Sequence, residues 1–335
     1  MSVERKRRKE SDKSMSRALW YMSPGITELR EASIAAPLAG EALVRSCFSL
    51  VSRGTERLVF RGEVPDSITA SMRAPMQDGD FPFPVKYGYC AVGIVEAGPT
   101  TLVGRTVFAL HPHQDVFVAP ADALALVPPA IPPRRATLGA NMETALNAMW
   151  DSGAGPGDRI VVVGAGVVGL LVATLAARLP GAQLTVIDTE PSRRAVVELL
   201  GARFSTVAEA AQSDADVVFH ASASEAGLAT ALACAGVEAT VVELSWYGAR
   251  AVSARLGAAF HARRLRLISS QVGMVSPGRR PRWSHARRLA MALALLDDAR
   301  LDALFTNEIA FAELPTRLPA ILAPGAAGLA TAIRY

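Results

Sequence analysis

The run Arg159-Ile-Val-Val-Val-Gly164-Ala-Gly166-Val-Val-Gly169 constrains the fold more than any other part of the chain. Its four consecutive β-branched residues read as a buried strand. Val168, Leu171, Val172, Leu175, Ala176 and Leu179 then recur at helical spacing. A strand, a G-x-G-x-x-G turn and a helix in this order open a βαβ unit. Gly164 permits the tight turn, Gly166 lets the backbone approach a pyrophosphate, and Gly169 lets helix and strand pack closely. The helix start, with Val167 and Val168 in its first turn, offers free N–H groups and the positive end of a dipole to phosphates. A glycine triplet alone arises by chance; here the flanking strand and helix supply the context the motif requires.

A second apolar run, 184–187, ends at Asp188, 24 positions after Gly164. A carboxylate there suits ribose hydroxyls and repels a 2′-phosphate, which favours NAD(H) over NADP(H). Two other readings stand beside it: Asp188 as a helix N-cap before Pro191, and Arg193 with Arg194 as holders of a phosphate. Further apolar runs at 216–219, followed by the candidate Ser222, then at 239–244 and 265–270, continue the alternation of strand and helix. That alternation is the signature of a doubly wound parallel sheet covered on both faces, a Rossmann domain. A flavin fold usually begins with its glycine motif, whereas this one lies in mid-chain. The run 265–270 reads as the outer strand, whose unpaired edge invites a symmetry mate and predicts a homodimer.

Residues 18–150 have another texture. Short stretches at 41–46, 93–96, 106–110 and 116–119 alternate with Pro and Gly, as in a β-rich domain, and 330–335 reads as a last strand. The expected organisation is α/β overall: a basic tail over 1–17, a β-rich domain over 18–150 with 301–335, and a dinucleotide domain over 151–300. Residues 4–13 hold six cationic and three acidic side chains, so most of the net charge of +4 sits in the tail. We read the tail as a disordered extension, with a phosphate-binding or appended segment as the other reading. The body has no charge surplus of the kind nucleic acid attracts. Three cysteines are too few and scattered for a disulfide framework. No run reaches the ~18 apolar residues a membrane helix needs. A cytoplasmic protein acting on a small molecule is expected, without nucleic-acid or membrane partners.

Three segments carry a family resemblance: Ser49-Leu-Val-Ser52-Arg-Gly-Thr55-Glu56, Met72-Arg-Ala-Pro-Met-Gln-Asp-Gly-Asp-Phe-Pro-Phe-Pro-Val-Lys-Tyr-Gly88, and Ala140-Asn-Met-Glu143-Thr144-Ala-Leu146. With a β-rich domain before a mid-chain nucleotide domain, the chain resembles the medium-chain dehydrogenase/reductase superfamily over residues 18–335. Within it, the segments are similar to bacteriochlorophyllide dehydrogenases and to dehydrogenases from gene clusters containing 6-pyruvoyl-tetrahydropterin-synthase homologues. The resemblance implies a GroES-like catalytic domain joined to the Rossmann domain, with Thr144 beside the nicotinamide.

Zinc members of that superfamily carry Cys, His-Glu and Cys or Glu where this chain has Ser52, Tyr89-Cys90 and Ala140. Zinc needs three or four thiolate, imidazole or carboxylate ligands, and the four-cysteine structural lobe is missing as well. We therefore expect no zinc. Cys47, Cys90, His111, His113 and Glu143 are the remaining candidates for a rebuilt site, with a turn around Pro112 and surface imidazoles as the blander reading.

Without a Lewis acid, hydrogen-bond donors must steady the oxygen at which hydride transfer develops charge. The resemblance places Ser52 and Tyr89 where metal ligands would converge and matches Thr55 to a proton-relaying hydroxyl. Tyr89 is the first choice for acid/base work, given a cation such as Lys86 to lower its pKa. Its alternative is packing under the cofactor, with Ser52 capping a turn. Glu143 is a further catalytic candidate and Glu56 a structural ion-pair partner. Arg73, Gln77, Asp78 and Asp80 form a polar loop that lines a pocket or stands in solvent. The function expected is zinc-independent hydride transfer between NAD(H) and a secondary alcohol or ketone. The alternatives are an NADPH-dependent quinone or enoyl reductase and a non-catalytic dinucleotide-binding protein.

Overall fold

A computed structural model of the protein describes residues 14–207 and 214–335. The chain forms two compact units, Met1–Gly139 with Phe305–Tyr335 and Ala140–Leu304. Of the expected basic tail, residues 14–17 already belong to the first strand, and residues 1–13 lie outside the described residues.

The first unit begins with β1 (Ser14–Ser23), β2 (Ile26–Ile34) and β3 (Glu41–Leu50). Along β3, Ala42, Val44 and Ser46 are buried while Arg45 is exposed, the alternation of a strand with one face on a core. Helix α1 (Arg53–Arg61) follows and ends where Gly62 takes up a left-handed C-cap at φ 68°. Then come β4 (Asp78–Gly79), β5 (Val85–Lys86), β6 (Ala91–Ala97), β7 (Thr106–Ala109), β8 (Val116–Pro120), β9 (Ala125–Leu126) and the short α2 (Pro133–Ala136).

The second unit carries α3 (Gly139–Ser152), β10 (Arg159–Val163), α4 (Val167–Ala176), β11 (Gln183–Ile187), α5 (Arg194–Leu199) and β12 (Arg203–Ser205). It continues through β13 (Ala215–His220), α6 (Glu225–Cys234), β14 (Ala235–Glu243), β15 (Arg266–Ser269) and α7 (His285–Ala294). All neighbouring strands are parallel, in the order β12-β11-β10-β13-β14-β15. The chain winds outward from β10 to β12 and then returns to β13 on the other side, so the strand order reverses between β10 and β13. Val161, Val163, Val218 and Val241 from this sheet pack with Leu228, Ala231 and Leu232 of α6. Strand β15 is the sheet's edge, as its sequence suggests.

The chain then returns to the first unit with β16 (Phe305–Ala310), α8 (Leu314–Ile321) and β17 (Ala330–Arg334). These complete a seven-stranded sheet in the order β16-β17-β3-β6-β7-β9, with β8 also paired to β3. Its core joins Ala42, Val44, Ala91, Val95, Val107, Ala109, Phe117 and Ala119.

Helix α3 groups with the second unit, so the division falls at 139/140 rather than at 150/151. Its side chains explain why. Asn147 accepts from the Ser276 N–H at 3.1 Å, and Asp151 accepts from the Ser270 hydroxyl at 2.7 Å.

Candidate functional site

The glycine turn of the second unit has the geometry its sequence requires. Gly164 sits at φ 108°, where a side chain would be strained, and a Cβ there would fall 2.8 Å from the Ser222 nitrogen. A Cβ on Gly169 would fall 1.9 Å from the Gly164 oxygen, so helix and turn approach at a distance only glycine allows. At Gly166 the opposite holds: nothing lies within 4 Å of the Cβ position, and the residue is exposed. Gly166 is also the N-cap of α4 and has no side-chain cap, which leaves the first-turn N–H groups of Val167, Val168 and Gly169 for an external anion. The turn is tight on its sheet side and open on its outer side, which fits a dinucleotide pyrophosphate.

Asp188 follows β11 and holds this turn directly. One carboxylate oxygen accepts from the Ala165 N–H at 2.6 Å and the other from the Glu190 N–H at 2.8 Å. The helix N-cap role falls instead to Glu190, whose side chain accepts from the Ser192 N–H. Arg193 is half-buried, and Arg194 lies 4.7 Å over the Phe204 ring. Thr144 bonds back along α3 to the Ala140 carbonyl at 3.0 Å.

A polar cluster that sequence reasoning missed stands at the carboxyl ends of β13 and β14. His220 and Glu243 are register partners on these neighbouring strands. The His220 ring is fully buried, with Nδ1 2.7 Å from the Glu243 carboxylate and Nε2 2.7 Å from the Ser222 hydroxyl. Ser222 is 2.9 Å from the Ser224 hydroxyl, which accepts from the Gly227 N–H and caps α6. Glu243 also accepts from the Tyr247 hydroxyl at 3.1 Å and the Ser245 N–H at 2.7 Å. Burial raises the Glu243 pKa, but the bonds from His220 and Ser245 outweigh it and hold the carboxyl below its usual range. Of this cluster only Ser222 was picked out in the sequence. No local spacing links positions 220 and 243; the parallel register does.

In the first unit, Ser52, Thr55 and Tyr89 do meet. The Tyr89 hydroxyl donates to Ser52 Oγ and is also hydrogen-bonded to Thr55. Burial and the neighbouring Cys90 push the phenol well above its usual range, against the smaller opposing effect of Ser52 and Thr55. Lys86 does not lower it, as the sequence reading supposed. Its ammonium donates to Gln114 at 3.1 Å and lies 3.5 Å from Asp78. Burial thus favours the protonated form of the Tyr89 phenol at neutral pH.

Beneath this pair, Glu56 is fully buried and fully engaged. It accepts from the Tyr21 hydroxyl at 2.7 Å and the Ser52 N–H at 2.7 Å, and lies 3.1 Å from His113 Nε2. His113 Nδ1 meets Ser49 Oγ at 2.8 Å, and Ser49 meets the Tyr335 hydroxyl at 3.0 Å. Glu56 is thus a structural anchor that fixes the backbone of Ser52. The loop holding Arg73, Gln77, Asp78 and Asp80 is knitted to itself, with Arg73 2.5 Å from Asp80 and Gln77 bonded to Ala74 and Gly79.

The candidate zinc ligands are spoken for. His111 and His113 are buried rather than at the surface. His111 stacks on Phe117 at 3.8 Å, and burial lowers its pKa to about 3. Burial raises the thiols of Cys47 and Cys90, disfavouring the thiolate a metal requires. Glu143 is locked to Arg288 at 3.0 Å. Among the described residues no group of three or more His, Cys, Asp or Glu converges on one point. Ser52 and Tyr89 themselves supply no thiolate, imidazole or carboxylate, so this pair of side chains does not fit a catalytic zinc.

A family model described as the alanine dehydrogenase/PNT C-terminal domain matches residues 144–244, the segment from α3 to the end of β14. Among solved structures, the chain is similar to one from Sinorhizobium meliloti 1021 described as a zinc-binding dehydrogenase bound to NADP. The TM-score is 0.76 at 19% identity, covering 96% of this chain and 100% of that one. It is similar to a short chain alcohol dehydrogenase from E. coli CFT073 complexed with NADH, with a TM-score of 0.75 at 16% identity and coverage of 96% and 100%. It is also similar to L-idonate 5-dehydrogenase from Escherichia coli K-12, with a TM-score of 0.77 at 14% identity and coverage of 96% and 99%. At such identities the likeness is one of fold. That fold is a GroES-like β-rich unit combined with a Rossmann unit. It is common to the three solved structures named and spans nearly the whole of this chain.

Proposed function

We propose that this chain is a nicotinamide-dinucleotide-dependent oxidoreductase of the medium-chain dehydrogenase/reductase plan. In this reading it belongs to a zinc-less branch of that plan. It interconverts a secondary alcohol and a ketone of a small or medium-sized substrate with NAD(H). It also acts as a homodimer. The observation that carries the reading is that the Tyr89 hydroxyl donates to Ser52 and is hydrogen-bonded to Thr55; Ser52 and Tyr89 are the residues that the resemblance matches to metal ligands.

The residues that would hold the cofactor are Gly164, Gly166 and the first turn of α4, with Asp188 fixing the turn and available to a ribose. When bound, the nicotinamide gives or takes the hydride. The protein must then do three things. The α4 N-terminus binds the pyrophosphate without a cation. Tyr89 gives its hydroxyl proton to the ketone oxygen in reduction, which spares the enzyme an alkoxide. Ser52 and Thr55 hold that phenol in place and hydrogen-bond the phenolate left behind, which takes a proton back from water; oxidation runs the same steps in reverse, with water first taking the phenol proton.

Tyr89→Phe tests the reading. Loss of the proton donor is expected to lower turnover by about 10²-fold with NADH affinity unchanged. Ser52→Ala is expected to cost less, because water can replace one hydroxyl at a site that admits substrate. The measurement is NADH oxidation against a panel of ketones. Near-normal turnover in Tyr89→Phe would make Tyr89 a packing residue.

A further inference from the structure

The Ser222–His220–Glu243 chain does more than fill the end of the sheet, because its hydrogen bonds have a direction. Ionised Glu243 can only accept, so His220 in its neutral form carries its proton on Nδ1 and donates it to Glu243. Nε2 is then an acceptor, and the proton it takes is that of the Ser222 hydroxyl. Ser224 already accepts from the Gly227 N–H, so its own proton is free to point at Ser222. The Ser222 oxygen has thus given away its proton and used one lone pair. What it offers a ligand is its second lone pair alone. A phosphate, which needs donors, is excluded; an O–H or N–H donor is welcome.

The placement identifies the donor's source. Asp188 and β11 lie on one side of the point where strand order reverses, and β13 and β14 lie on the other. A dinucleotide whose pyrophosphate rests at the glycine turn spreads one mononucleotide over each side. The Ser222 backbone abuts Gly164, so its hydroxyl serves the half away from Asp188. Gly227 is part of the same arrangement, since a Cβ there would fall 2.0 Å from Ser222 Oγ and 2.7 Å from His220 Nε2. The charged and titratable groups near His220 are Glu243, Tyr247 and Arg250, whose guanidinium bonds the Ala223 carbonyl at 3.2 Å.

We propose that Ser222, held as a hydrogen-bond acceptor by His220 and Glu243, receives an O–H or N–H donor from the nicotinamide-side half of the dinucleotide. His220 and Glu243 are positioning residues in this assignment, which rests on the dinucleotide reading above. The donor is either a ribose hydroxyl or the carboxamide N–H.

The test is binding of NADH and of ADP-ribose by full-length protein at pH 8, above the ordinary histidine range. Ser222→Ala is expected to weaken NADH by about five- to tenfold, the worth of one hydrogen bond. A parallel loss with ADP-ribose assigns the donor to the ribose, and a loss with NADH alone assigns it to the carboxamide.

Glu243→Gln keeps the shape but inverts the chain. The glutamine oxygen must face the Ser245 N–H, which turns its NH₂ toward His220 Nδ1. The ring proton then moves to Nε2, and Ser222 becomes a donor. This variant is expected to weaken NADH when Ser222 is present and to have no further effect in Ser222→Ala, whereas a merely structural role would add in both backgrounds. NADH binding left unchanged by Ser222→Ala, or additive losses in the double variant, would overturn the assignment while leaving the dinucleotide reading intact. Wild-type protein that binds neither probe overturns both.

Discussion

Arg288 donates through Nε to Glu143 at 3.0 Å inside the second unit, and both side chains are almost fully withdrawn from solvent. The guanidinium also reaches Asn147 at 2.6 Å, the Met274 carbonyl at 3.2 Å and the Val272 carbonyl, so all three of its nitrogens are engaged. Burial pushes the Glu143 pKa up and the cation opposes the shift. A carboxylate tied in this way is not available to exchange protons with a substrate, which removes Glu143 from the catalytic candidates. Glu143→Ala is expected to destabilise the protein by about 3–5 kcal/mol, because it leaves a buried cation uncompensated. Replacing both partners, as in Glu143→Leu with Arg288→Met, is expected to cost less than that single change. Denaturant unfolding checks both, and an innocuous Glu143→Ala would refute the ranking.

Cofactor choice turns on Asp188. NADH is expected to bind more tightly than NADPH, since a carboxylate beside the ribose repels a 2′-phosphate. Both Asp188 oxygens already accept backbone N–H groups. Asp188→Asn must therefore present an NH₂ to one of them, loosening the turn and weakening both cofactors while narrowing their difference. Fluorescence titration measures each affinity. A wild-type preference for NADPH would remove Asp188 from its assigned role.

Metal content is the simplest test of the zinc-less reading. Ser52, Tyr89 and Ala140 offer no thiolate, imidazole or carboxylate, and the nearby histidines are engaged. Elemental analysis of purified protein is expected to show no stoichiometric zinc, and chelators to leave turnover unchanged. About one zinc per chain would contradict the reading.

The edge strand β15 gives the fourth prediction. Leu267 is 37% exposed on an edge otherwise free to pair, and joining two such edges would extend the sheet across a two-fold axis. Sedimentation at micromolar concentration is expected to give a dimer, and Leu267→Asp to shift it toward monomer. A wild-type monomer would count against the assembly.

What the sequence made legible follows from burial. Strands β10, β11, β13 and β14 are covered on both faces, so they read as continuous apolar runs. Strand β12 has three residues, and β16 exposes Thr306, Asn307 and Glu308, so neither carries a hydrophobic pattern. The glycine turn was legible because Gly164 and Gly169 answer local steric demands, while Gly166 keeps the outer side of the turn open. Ser52, Thr55 and Tyr89 came together as the resemblance implied, but the protonation of Tyr89 depended on burial that no spacing encodes. The His220–Glu243 pair lay beyond reach because it is fixed by register between strands, which is a property of the assembled sheet.

The attachment of α3 to the second unit bears on how this chain can be divided. A cut after Trp150 looks natural from composition, since a Gly- and Pro-containing turn follows within a few residues, yet it falls inside α3, which runs on to Ser152. Such a cut would carry off Glu143 and Asn147 and strand Arg288 as a naked charge in an apolar interior. A cut before Ala140 keeps the ion pair whole. The two fragments differ by only the eleven residues 140–150. The longer could be grafted onto a foreign partner as a self-sufficient module, and the shorter would be expected to collect as insoluble material.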